Sequence, residues 1–281
     1  PPLPPPPPVA SALPAAAVAP TWERLGPGAP PEASAPRTAT GFDEERLELL
    51  LPLRPAVASF HFGAPSAEEI EAMQEEGILV LSTASTVAEA RALQAVGVDA
   101  IIAQGWEAGG HRGSHAVTRP DEGVGTFALV PQVVDAVDVP VIAAGGVTDG
   151  RGVAAAFALG ASGVQVGTGF LLTPEAKVDE RRRARVRGAD GADTMQTTAF
   201  SGRSARAARS PWAETMAGAP IAGFIDQPTL SGPVTKAAPE EASFHLHGQA
   251  AGLAAEAPAE EVVRSLAERA EAVFASLALR L

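Results

Sequence analysis

Thirteen residues, "AQGWEAGGHRGSH" (103–115), hold four glycines, two histidines, an arginine and a glutamate directly after an apolar run. An imidazole titrates near neutrality, so His111 is suited to take a proton from carbon or oxygen and return it. Gly109 and Gly110 tolerate positive φ and carry no side-chain bulk, so the backbone there can lie against a flat ligand while His111 projects over it. A glycine-rich turn with a surface histidine is the competing reading, and residue types alone leave both open. Gln104 closes the apolar run. Its amide could serve the edge of a heterocycle or simply the polar end of a strand.

Two further glycine-rich segments follow, "VIAAGGVTDGRG" (141–152) and "GVQVGTGFLLTPEA" (163–176). Each places glycines at the end of an apolar run: Gly145 and Gly146 in the first, Gly167 with Thr168 in the second. Paired loops of this kind after the last strands of a β/α barrel are where such folds grip a phosphate with main-chain N–H groups. Together they point to a phosphorylated cofactor or substrate, against a reading of two tight turns. Gln165 repeats the strand-end amide of Gln104. His61, in "SFHFG", also falls at a strand end and reads equally as packed or ligand-facing. His245 and His247 have alternate spacing but no acidic partners at convincing positions, so no metal is expected.

The elements that position these residues are legible as short apolar runs at 56–62, 77–83, 98–104, 139–145 and 162–168. Continuous rather than alternating, they read as strands buried on both faces of a parallel sheet. Helical stretches lie between. Ser66 with Glu69, and Thr86 with Glu89, have the spacing of reciprocal caps, and Thr173-Pro174-Glu175 offers a further helix start. Strand–helix alternation gives an α/β fold, and glycines clustered after successive strands favour a TIM (β/α)8 barrel over a doubly wound sheet. Five strands do not close eight, so about the first three strands are expected to be lacking. Residues 1–40, rich in Pro and Ala, read as an extended arm or linker, and residues 41–281 as the barrel portion with a C-terminal helical segment. In that last helix Val262, Val263, Leu266 and Val273 read as a packing stripe.

Composition narrows the function. Acidic residues outnumber basic ones by 33 to 21, and a net charge of −12 disfavours nucleic acid and anionic membranes as partners. The one basic run, "RRRAR" (181–185), reads as the solvated face of a helix. Cysteine is absent, which excludes disulfides, thiolate metal sites and a cysteine nucleophile. Without a long apolar span or a signal-type N-terminus, the default compartment is the cytoplasm.

The segments "AQGWEAGGHRG", "GTFALVPQVVDAV", "VPVIAAGGVTDGRGVAAAFALGASGVQVGT" and "GQAAGLA" resemble the FMN-dependent nitronate monooxygenases, formerly called 2-nitropropane dioxygenases. The resemblance runs from about Phe42 to the C-terminus. It implies an FMN across the carboxyl-end mouth of the barrel and His111 as the catalytic residue. By motif position it places Gln104 and Gly109 on flavin contacts of the first loop, Gly146 on the second, and Gln165, Val166, Gly167 and Thr168 on the phosphate-binding last loop. The implied reaction oxidises an alkyl nitronate with dioxygen to a carbonyl compound and nitrite; nothing in the residues fixes the oligomeric state. Members of the family open with three strands ahead of a proline-rich stretch, which here stands first.

Two other readings compete. The FMN-dependent enoyl-acyl-carrier-protein reductases share the barrel and a similar GGH loop, but resemble the chain less, with Glu at the position of Gln104 and an apolar residue at that of Arg112. A non-catalytic, truncated barrel is the third.

Overall fold

The computed structural model describes residues 12–25, 41–116 and 122–279. Helices α1 (Ala12–Leu25) and α2 (Glu44–Leu50) precede an alternation of β1 (Val57–Phe60), α3 (Ala67–Glu75), β2 (Leu79–Ala84), α4 (Val87–Val96) and β3 (Ala100–Gln104). A two-residue strand, β4 (Gly110–His111), interrupts the rhythm before α5 (Thr126–Val134), β5 (Val141–Ala144), α6 (Gly150–Ala158) and β6 (Gly163–Gln165). The remainder comprises α7 (Glu180–Arg187), β7 (Thr194–Thr197), β8 (Ala205–Ala208), α8 (Pro211–Thr215), α9 (Gln227–Ala237) and α10 (Ala259–Ala278).

The five apolar runs pair in parallel in the order β1-β2-β3-β5-β6, an α/β sheet in which each strand lies beside the next along the chain. All five residues of β3 are buried, as a central strand covered on both faces requires. Ile70 and Met73 of α3, Leu93 of α4 and Leu129 and Val133 of α5 pack with Val80, Ile101 and Val141 of the sheet into one core.

Local caps explain where the helices begin. Ser66 and Glu69, and likewise Thr86 and Glu89, exchange the side chain–backbone bonds that their spacing predicts. Asp149 accepts from the N–H groups of Arg151 and Gly152 and opens α6. Thr173-Pro174-Glu175 behaves differently: it opens only a three-residue 3-10 turn, and the Glu175 carboxylate instead accepts the Ala259 N–H of α10 at 3.2 Å. The C-terminal stripe is narrower than its sequence implies, for Val262 is buried and Leu266 and Val273 pack inward, but Val263 is 57% exposed. One residue further along a helix is a rotation of about 100°, which carries Val263 off the packed face.

The basic run lies on α7, yet it is not only a solvated face. Arg182 donates to the Leu246 carbonyl at 2.8 Å, and Arg183 to the carbonyls of Leu172 and Thr173. These bonds tie α7 to the segments on either side.

A second, antiparallel sheet has the order β4-β8-β7 and stands apart from the parallel one. Behind it lies a second core of Phe200, Trp212, Met216, Leu230 and Val234, to which α1 contributes Val18 and Trp22. Helix α1 occupies part of the Pro/Ala-rich stretch where composition argues for extended chain. Alanine is the strongest helix former, and Pro14 stands in the first turn, where a missing N–H costs nothing. The Trp22 indole N–H donates to the Leu230 carbonyl of α9, fixing the helix on this core.

Candidate active site

Gln104, Gly109, Gly146, Gln165, Val166, Gly167 and Thr168 line a single cleft at the carboxyl ends of β3, β5 and β6. This is the edge of a parallel sheet at which loops converge and ligands bind. Sequence reasoning missed its other walls, among them Thr148, Gly248 and Ala250. The "GQAAGLA" segment was the signal for the last two, since Thr168 Oγ accepts the Gly248 N–H at 2.9 Å and brings that segment to the cleft floor.

The glycines serve more than one purpose. Gly145 and Gly146 have φ of 100° and 73°, which turn the chain sharply at the end of β5. Gly109 lines the cleft and also permits a close backbone approach: a Cβ there would lie 2.4 Å from the backbone of His247 and Gly248. Beside Gly167 a Cβ would meet no atom within 4 Å, so this part of the cleft is open.

Gln104 is buried and its amide is committed to the loop that follows it. Nε2 donates to the His111 carbonyl at 3.0 Å, and Oε1 accepts the Gly113 N–H at 2.7 Å. One N–H and one lone pair remain. Gln165, by contrast, is exposed on the cleft wall. Arg112, 3% exposed, donates to the carbonyls of Gln104 and Ser85 and lies 5.3 Å from the Trp106 ring, locking the loop to the ends of β2 and β3. Glu89 accepts the His115 N–H at 2.8 Å, and Glu107 accepts from Thr126 N–H and Oγ at the start of α5. His61 is tied to this loop and to β2 through its two ring nitrogens. A carbonyl only accepts, so its Nε2–H donates to the His111 oxygen at 3.2 Å, leaving Nδ1 as acceptor for the Thr83 hydroxyl at 3.0 Å.

His111 therefore stands on a braced ribbon rather than a loose hinge. It pairs with Ala205 of β8, and Gly110 with Arg206, whose guanidinium in turn holds the Trp106 carbonyl at 2.8 Å. Beyond Gln104 its ring faces Phe62, Phe224 and Phe244 edge-on at 5.4–6.1 Å. Nε2 lies 2.8 Å from Ser201 Oγ. Arg203 stacks over Phe62 at 3.8 Å and donates to the Ser114 carbonyl. Burial, then the neighbouring His61 and Arg203, push the His111 imidazole down to about 4. At neutral pH it is an uncharged base.

His247 is buried with its backbone against Gly109, and burial also lowers the imidazoles of His245 and His247. Among the described residues no group of three or more His, Asp or Glu side chains comes together as a metal site.

These features define a class: an α/β protein with a glycine-built ligand cleft at the carboxyl ends of a parallel sheet and a half-buried histidine on an added ribbon beside it. A model of the family described as nitronate monooxygenase matches residues 12–269. A nitronate monooxygenase of Pseudomonas aeruginosa is 42% identical over 80% of this chain, and one of Paraburkholderia phytofirmans 41% identical over 89%. The crystal structure of nitroalkane oxidase from Streptomyces ansochromogenes superposes with a TM-score of 0.84 at 36% identity, covering 98% of this chain and 80% of that one. FabK from Thermotoga maritima gives 0.72 at 30% identity over 85% of this chain and 75% of its own. The chain belongs to the nitronate monooxygenase family. It spans 66% of the length of the Pseudomonas relative and 70% of the Paraburkholderia one.

Proposed function

We propose that this chain binds FMN and oxidises alkyl nitronates with dioxygen to a carbonyl compound and nitrite, its five parallel strands being five of the eight of a (β/α)8 barrel. The observation that carries the reading is the cleft itself: the seven residues that the motifs point to, from three separate loops, all line it, and Gln104 joins it to the carbonyl of His111. The residues fit a flat group with an anionic tail. Gly167 leaves open space, Thr168 retains its hydroxyl hydrogen for a phosphate oxygen, and glycines let the main chain come close. Gln104, Gly109 and Gly146 would border the ring, and Gln165, Val166, Gly167 and Thr168 the phosphate.

A bound flavin supplies the electron acceptor for the carbon–nitrogen substrate and the route to dioxygen. The protein's own contribution is proton handling and enclosure. His111, uncharged at pH 7, takes the α-proton of a neutral nitroalkane; an anionic nitronate has already lost it. The phenylalanine rings around the imidazole suit a small apolar substituent and keep water from the base. Substrate and dioxygen are the expected small-molecule partners. The cytoplasm is the proposed location. Among the described residues no helix is long and apolar enough to cross a membrane.

The amide at Gln104 favours this reading over enoyl reduction. Its Nε2–H meets a carbonyl oxygen, and a glutamate would place a negative oxygen there. The test is reconstitution with FMN and assay with propionate 3-nitronate under air. Nitrite release without NAD(P)H is expected; NADH-dependent turnover of enoyl thioesters without nitrite would establish the rival. His111→Asn should keep flavin and lower turnover of neutral nitroalkanes by ~10²–10⁴-fold, the usual contribution of a positioned base. Unchanged nitroalkane turnover removes His111 from the mechanism.

A further inference from the structure

Segment 199–203, more than eighty residues downstream of the glycine-histidine motif, is held with unusual thoroughness. Gln227 of α9 donates to the Ala199 carbonyl at 2.6 Å, and Ser231 to the Phe200 carbonyl at 2.5 Å. Gly202, at φ 79°, donates its N–H to the Thr198 carbonyl at 2.9 Å and leaves no room for a Cβ, which would lie 2.4 Å from the Ala222 oxygen. The turn is thus clamped from both sides, and the side chain it presents is Ser201, 5% exposed.

The hydroxyl of Ser201 has one hydrogen, and the groups around it decide where that hydrogen goes. Ser201 Oγ donates to the Arg203 carbonyl at 3.1 Å, a partner that can only accept. The Arg203 backbone N–H approaches the same oxygen at 3.4 Å as a donor. With its hydrogen on the Arg203 carbonyl, Ser201 meets the His111 Nε2, at 2.8 Å, with a lone pair, and the nitrogen facing it carries the proton.

We propose that Ser201 is a positioning residue that fixes His111 in the Nε2–H tautomer and so leaves Nδ1 as its basic nitrogen. In a neutral imidazole one nitrogen donates and the other accepts, and the partner of the first selects the second. The clamp by α9 and Gly202 holds the serine backbone in place, and the Arg203 carbonyl beside Oγ gives the hydroxyl hydrogen a partner other than His111. The depressed titration of His111 keeps it neutral at pH 7, where tautomers rather than protonation states are distinguished.

That Nδ1 receives the substrate proton rests on the proposed function; the tautomer does not, and it can be read without turnover. The experiment is long-range ¹H–¹⁵N correlation at pH 7 on the 281-residue chain labelled with ¹⁵N-histidine, with His111→Asn used to assign the signal. Wild type is expected to show a pyrrole-type Nε2 and a pyridine-type Nδ1 at His111. Ser201→Ala should redistribute His111 between the two tautomers, and Ser201→Thr, which keeps the hydroxyl, should restore the wild-type pattern. His61, bonded to Thr83 and the His111 carbonyl and not to Ser201, reports that each variant is folded. If Ser201→Ala disturbs His61, the wild-type and Ser201→Thr spectra alone decide. A wild-type Nδ1–H form, or an unaltered His111 pattern in a folded Ser201→Ala protein, overturns the proposal.

Discussion

At the scale of single residues, chemistry here depends on partners more than on residue type. Gln104 looks like a ligand-facing amide, yet its oxygen and one N–H are spent on the 111–113 backbone. Gln104→Glu is expected to set a carboxylate against the His111 carbonyl and cost about 1–3 kcal/mol, the range for a buried polar group left without its partner. The measurement is the shift in denaturation midpoint at pH 7, and a restoring shift on acidification would identify the carboxylate charge as the cause. Arg112 is equally deceptive: its guanidinium braces two strand-end carbonyls.

At the scale of elements, the defining contact is between the loop after β3 and the segment at 247–248. Gly109→Ala would drive a Cβ into that backbone, and the atoms it meets are main chain, which has no rotamer by which to escape. A loss of about 1–3 kcal/mol is expected, as for other overpacked sites, together with weaker FMN retention because Gly248 lines the cleft. Fluorescence titration with FMN beside thermal unfolding checks both. The helix caps behave more locally. Asp149→Ala should cost about 1 kcal/mol through α6 alone, without changing the His111 environment.

For the whole molecule, several imidazoles lose solvent on folding and all shift the same way. His61, His111 and His247 titrate below their usual 6.5, chiefly because burial disfavours the charged form. Between the unfolded value near 6.5 and the folded value of about 4 at His111, the unfolded chain binds the extra proton. Stability is accordingly complete above pH 6.5 and falls as pH drops through this window. Urea midpoints should be lower at pH 5 than at pH 7.5, and His111→Asn should shrink the difference. An equal midpoint at the two pH values would contradict the depressed titration of these histidines.

The amino-acid sequence by itself determined the parallel sheet, the capping boxes of α3 and α4 and the glycine loops that form the cleft. Each is written in neighbours a few residues apart: apolar runs long enough for one strand, a cap three residues from its partner, glycine pairs at strand ends. Only the tertiary structure decided what holds His111. Strand β8 reads "ARAA", without the branched or aromatic residues that mark a strand, and it forms because β4 and β7 pair with it. Ser201 meets His111 across 90 residues, a proximity created by chain folding and invisible to any local pattern. The low basicity of the imidazole has the same origin, since desolvation belongs to the packed surroundings and not to the residue.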